Sequence, residues 1–138
     1  MTNIHDLQRF VKAQAAIYPG ALAEMQAGRK RTHWMWFVFP QIAGLGHSMM
    51  AQRYAIASRA EAEAYYAHDI LGPRLRACTQ AVLAVPDKTA NAIFGSPDDI
   101  KFRSCMTLFD AIAPHDIFET ALARFCGGQR DPATLERL

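Results

Sequence analysis

The stretch THWMWFVFPQ, residues 32–41, places six apolar residues in a row between a histidine and a glutamine. Its aromatic and branched side chains carry strong strand propensity. A lone strand, however, leaves its backbone N–H and C=O groups without partners, so the stretch can be a strand only if the chain supplies others. It supplies none: there is no Asn-Gly or Asp-Gly hairpin signal and no second strand pattern. The expectation is therefore a buried turn of helix, capped by Thr32, broken at Pro40 and covered on every face.

Outward from that turn, helix punctuation recurs in both directions. Asn3 is placed to cap a helix whose third position is Asp6, with Leu7, Phe10, Val11 and Gln14 at helical spacing. Pro19 opens a short helix carrying Leu22 and Met25, and Gly28 stops it. Ser48 can cap a helix after the glycines, and SRAE at 58–61 is a capping box for a helix carrying Ala62, Tyr65 and Tyr66 to about His68. Pro73 suits a first helical position, and Leu71, Leu75, Cys78, Val82 and Val85 form an apolar stripe that Pro86 ends. A single turn runs from Thr89 to Gly95.

The clearest helix is SPDDIKFRSCMTLFDAIAP, 96–114. Ser96 caps it, Pro97 takes the first position, Asp98 and Asp99 complement its dipole, and Pro114 closes it. At about 100° per residue, Phe102, Cys105, Met106, Phe109 and Ile112 share one arc, while Asp99, Arg103 and Asp110 lie away from it. Asp99 and Arg103 are spaced for a surface pair. Asp116 and Glu119 have capping spacing for the next helix, and Asp131 with Pro132 opens a last short one. The fold class is all-α: one domain over 1–138, with six to eight mostly short helices around one core.

Composition agrees. The chain has 138 residues, 51% hydrophobic and 20% charged, and at that length folding hides roughly 70% of the unfolded surface. A core of that size needs neither disulfides nor metal. Fifteen Lys and Arg against thirteen Asp and Glu give +2, too mild to point to nucleic acid or a membrane through net charge. Cys78, Cys105 and Cys126 are odd in number and include no CxxC pair, so they read as buried reduced thiols, with no metal site and no cofactor expected. No basic region followed by an apolar run opens the chain, and no run approaches the ~20 apolar residues of a membrane span, so the expected compartment is the cytoplasm.

The functional candidates flank the aromatic turn. Downstream, Gly44 and Gly46 precede Ser48, an arrangement that lets backbone N–H groups converge on an anion, although a bare GxG is more often the mark of a tight loop. Trp36 can form the wall of a pocket, with His33 and Gln41 as polar brackets that packing does not explain. Further along, Asp98, Lys101 and Ser104 gather near one helix start and could hold a polar ligand or polarise a water, so they and His33 are the candidates for any catalysis. His47 lies near His33 in sequence without sharing its helix register. No nucleophile elbow, P-loop or HExxH is present. The favoured reading is a pocket between residues 33–48 and the helix from Ser96 that binds a small anionic or nucleotide-derived ligand, with its hydrolysis as a further option. The alternative is a non-enzymatic module whose basic face, Arg29 to Arg31, meets an acidic protein or RNA. Oligomeric state is left open.

HWMWFVFPQIAGLGHS, AYYAHDILGPRLR, IFGSPDDIKFRSCMTLF and FCGGQRDPATLERL resemble the bacterial family known only as domain of unknown function 1810. The resemblance runs over nearly the whole chain and departs at HDILGPRL, where a proline would follow His68. It implies a small all-helical cytoplasmic domain, and it makes His33, Trp34, Trp36, Pro40, Gln41, Gly44, Gly46, Asp98, Lys101 and Ser104 motif positions. Some family members carry the label calpastatin. That label implies protease inhibition by a long, polar, disordered chain, which a half-hydrophobic compact sequence does not resemble.

Overall fold

A computed structural model of the chain describes residues 5–138. Among the described residues there are ten helices: α1 Gln8–Gln14, α2 Tyr18–Gln26, α3 Met35–Val38, α4 Met49–Arg53, α5 Arg59–Ala67, α6 Leu71–Leu83, α7 Ala90–Phe94, α8 Asp98–Ile112, α9 Ile117–Phe125 and α10 Pro132–Glu136. The fold is all-α. Six of the ten have seven residues or more, and four are short turns of four or five residues.

WMWFVF is helical only at its centre, and five of its six side chains are buried; Trp36 alone of the six stays half exposed. Thr32 does not cap it. Its hydroxyl is committed to the Glu24 carboxylate at 2.6 Å, and Trp34 occupies the N-cap position instead. Strand-like pairing does occur, but one step later in the chain: Ile42 and Ile56 form an isolated parallel bridge, in which Ile56 N–H donates to the Gln41 carbonyl and Ala43 N–H to the Ile56 carbonyl, both at 2.8 Å. The turn therefore needs no sheet, and two bonds suffice to anchor the loop that leaves it.

α8 lies deeper than an amphipathic helix would. Phe102, Cys105, Met106 and Phe109 face the core as expected, but Ser104, Thr107, Leu108 and Asp110 are buried too, because the chain after α9 folds back over that flank. There Arg130 pairs with Asp110 at 2.7 Å. The Asp99–Arg103 pair does not form: Arg103 donates to the Gln129 and Arg130 carbonyls at 2.9 and 2.7 Å. Ser96 caps nothing, since the helix begins later, at Asp98, with Pro97 as its flanking residue. Likewise α6 begins two residues before Pro73, where His68 Nδ1 accepts from Ile70 and Leu71 N–H. Pro73 still sits in the first turn, where its missing N–H has no helical partner to lose.

Other caps follow the sequence: Ser58, Thr89 and Ser48 each accept from the backbone N–H three residues on, and Asp116 accepts from Ile117 N–H. Asn3 lies outside the described residues. The core is knit by aromatic contacts, with Phe94 stacked on Phe102 at 4.7 Å and Phe39 edge-on to both. Gln14, buried among them, ties α1 to α3 and α5 by donating to the Phe37 carbonyl and the Tyr65 hydroxyl. Two of the three cysteines are buried and all are free.

Candidate functional site

The loop of residues 41–48 leaves the core at Pro40, is fixed by its two bonds to Ile56, and runs past the outer flank of α8 to the cap of α4. Between loop and helix lies a cleft of about 450 Å³, to which the start of α10 also contributes. Its polar lining is Gln41, His47, Ser48, Lys101, Ser104 and Asp131; Leu45, Ala51, Pro97, Ile100 and Ala133 make its apolar lining. Gly46 lets the loop lie against α4, since a Cβ there would stand 2.7 Å from that of Ala51.

Its charges have definite partners. Lys101 Nζ lies 3.6 Å from Asp98 Oδ1 and 5.7 Å from the centre of the Trp36 ring. The same Asp98 carboxylate holds Lys30 at 3.0 Å through its other oxygen, so one anion is shared by two cations. Across the cleft, Ser104 Oγ donates to Asp131 Oδ2 at 2.9 Å, Thr134 Oγ1 donates to the same oxygen at 2.5 Å, and Asp131 N–H donates to Thr107 Oγ1 at 3.0 Å. Burial pushes the Asp131 carboxyl up. The hydroxyls of Thr134 and Ser104, the Ala133 N–H and the Arg103 charge outweigh it and bring the group below its ordinary value. Asp131 is therefore a fixed anion at neutral pH and a weak base.

Of the residues singled out in the sequence, Gln41, Gly46, Ser48, Lys101 and Ser104 meet in this cleft. Trp36 stands beside it, lining a small recess that shares Gln41, Gly46 and Ala51 with the cleft. Asp98 acts on Lys101 from outside the cleft lining. His33 and Gly44 do not join them. His33 is exposed, because Thr32 and Trp34 on either side of it are both bonded to Glu24 and hold it outward. Gly44, at φ +100°, turns the loop beside Arg137 and is not part of the cleft lining, whereas Gly46 is. Nor do Arg29, Lys30 and Arg31 make one face: the Lys30 side chain is only 7% exposed, against Asp98 and over the Trp34 ring.

Two contributors escaped the sequence reading. Asp131 looked like a cap, and nothing in the chain announces that it meets Ser104 across twenty-seven residues. His47 was noticed only beside His33, with which it shares no helix register, and was not placed in the pocket. Among the described residues no group of three or more His, Cys, Asp and Glu is arranged to hold a metal ion.

A family model described as "Protein of unknown function (DUF1810)" matches residues 4–138. The chain belongs to the DUF1810 family. This DUF1810 chain is also similar to a crystal structure of the conserved hypothetical protein Rv1873 from Mycobacterium tuberculosis, at 50% identity and a TM-score of 0.96, covering 99% of this chain and 98% of that one. No curated protein matches the DUF1810 chain. No helix among its described residues is long and apolar enough to cross a membrane.

Proposed function

We propose that this cleft binds a small ligand through an anionic group, a carboxylate or phosphate, directed at Lys101. The observation that carries the reading is the convergence of one cation, one fixed carboxylate and several neutral hydrogen-bonding groups, from three separate parts of the chain, on one concave space that packing does not require. Gln41 and Ser48 come from the loop, Lys101 and Ser104 from α8, and Asp131 from the start of α10. A ligand with a flat ring, such as a nucleotide-derived molecule, would extend it over the half-exposed face of Trp36.

Binding is better supported than hydrolysis. The Ser104 hydroxyl is engaged with the Ile100 carbonyl and with Asp131, a carboxylate held low and so ill suited to remove its proton. The three free thiols accord with a reducing, cytoplasmic setting.

The test is a thermal-shift panel of inorganic phosphate, AMP and small metabolite carboxylates against the wild-type protein and Lys101→Ala. A ligand at 100 times its Kd adds about 2.7 kcal/mol of stability. At least one anionic probe should raise the wild-type melting temperature, and Lys101→Ala should lose that shift while melting near the wild-type value without ligand. A shift that survives in Lys101→Ala refutes the role of Lys101.

A further inference from the structure

Of the Lys, Arg, Asp and Glu residues, the cleft lining holds one cation, Lys101, and one anion, Asp131. Lys30 and Asp98 form one pair, and Lys101 and Asp131 are left as one cation and one anion, held to opposite fates: Lys101 leans on Asp98 and the Trp36 ring, whereas Asp131 is fixed by Ser104, Thr134 and Thr107. Lys101 and Ser104 are three residues apart on α8, so they are neighbours on one flank, and Asp131 bonds to Ser104. A cationic and an anionic wall thus share one small space. The rest of the lining combines polar groups such as Gln41 and Ser48 with apolar Leu45, Pro97 and Ile100. Two side chains at or beside its mouth are unusually open to solvent: Ile100, 61% exposed, and Met49, 88% exposed, next to Ser48.

From these observations we infer that the ligand is dipolar: a small molecule with an ammonium group for Asp131 as well as a carboxylate for Lys101, and an apolar body lying on Leu45 and Ile100. That is the chemistry of a free apolar amino acid. The inference rests on the anion-binding reading above and narrows it. A dianionic phosphate would meet one cation that already shares Asp98 and would stand near a fixed carboxylate, a repulsion that the partly buried cleft screens poorly. A zwitterion meets the opposite charge at each end. The hydroxyls that hold Asp131 in place also keep it ionised and oriented before a ligand arrives, which lowers the cost of binding. At about 450 Å³ the space falls at the small end of ligand sites.

The experiment is calorimetric titration of the full chain with leucine, isoleucine, methionine and phenylalanine, each also as its N-acetyl derivative and its amide. At least one free amino acid is expected to bind, with both blocked forms at least tenfold weaker. Asp131→Asn should erase the preference for the free amine over the N-acetyl form, and Lys101→Gln that for the free acid over the amide, with circular dichroism unchanged. The comparison of blocked and free ligands on the wild-type protein needs no variant to fold. Binding by none of the four, or equal binding of the N-acetyl form, overturns the inference. AMP and phosphate titrated in parallel separate the two readings: if they bind in a Lys101-dependent way and the amino acids do not, the anion site stands and the dipolar ligand falls; if neither class binds, both fall.

Discussion

Glu24 collects more of the site's scaffold than any residue the sequence singled out. Its carboxylate accepts from Arg31 and Thr32 N–H, from the Thr32 hydroxyl and from the indole N–H of the fully buried Trp34, at 2.7, 3.1, 2.6 and 2.9 Å. Glu24→Ala leaves that indole N–H without its acceptor and should lower stability by about 1–3 kcal/mol, read from urea unfolding. Burial raises the Glu24 carboxyl, but the four donors outweigh it and hold it down to about 2, against an ordinary value of 4.5. A depressed folded value gives stability that is full above the unfolded value and lost as pH falls toward the folded one. The wild-type advantage over Glu24→Gln should therefore be constant above about pH 5 and shrink between there and pH 2; parallel stability curves across that range would refute the assignment. The thiols make a second prediction at this scale. Burial pushes Cys78 up to about 12 and Cys105 well above its ordinary value. At pH 8 a thiol reagent should leave both unlabelled in the folded protein and modify them once urea unfolds it. Labelling of either at the rate of an unfolded control would show that the core opens there.

Among the elements, capping made α5, α7 and α9 legible and periodicity made α8 so, because those signals are local and the chain obeys them. Three of the exceptions have one cause. Thr32, Asp110 and Arg103 each act through a partner outside their own helix or turn, Glu24, Arg130 or the 129–130 carbonyls, and no local pattern encodes such a meeting. The site shows the same division: Gln41, Lys101 and Ser104 drew notice because local packing and capping left them unexplained, whereas Asp131 was hidden by having a local explanation ready. One element contact is open to direct test. Gly72, in the first turn of α6, lies so close to the end of α5 that an added methyl group would sit against the Tyr66 carbonyl oxygen, a backbone atom that cannot move aside cheaply. Gly72→Ala should cost at least about 3 kcal/mol or prevent folding, measured by thermal unfolding, despite the usual helix preference for alanine. A variant as stable as the wild type would mean that α5 and α6 do not approach this closely.

For the whole molecule, the buried apolar residues form one continuous cluster from Leu7 to Leu122, into which the aromatic turn, α6, α8 and α9 all pack. One core at this length predicts one cooperative transition, with tryptophan fluorescence and far-ultraviolet dichroism falling on the same urea curve; separated curves would divide the chain into units. The all-α class was readable because a β-prone stretch without partners has only one economical solution, and the absence of partners is itself visible in the sequence. The cleft was not readable in the same way, since it exists only where loop, α8 and α10 meet. Its function is accordingly tested best by locating a ligand on the folded protein. Backbone amide shifts of the labelled protein, followed while the anionic and amino acid probes are added, should move first and furthest in residues 41–48, 98–104 and 131–134. Saturable shifts centred elsewhere, around Arg29 and Arg31 or along the Tyr66–Arg76 surface, or no saturable shifts with any of these probes, would contradict the account.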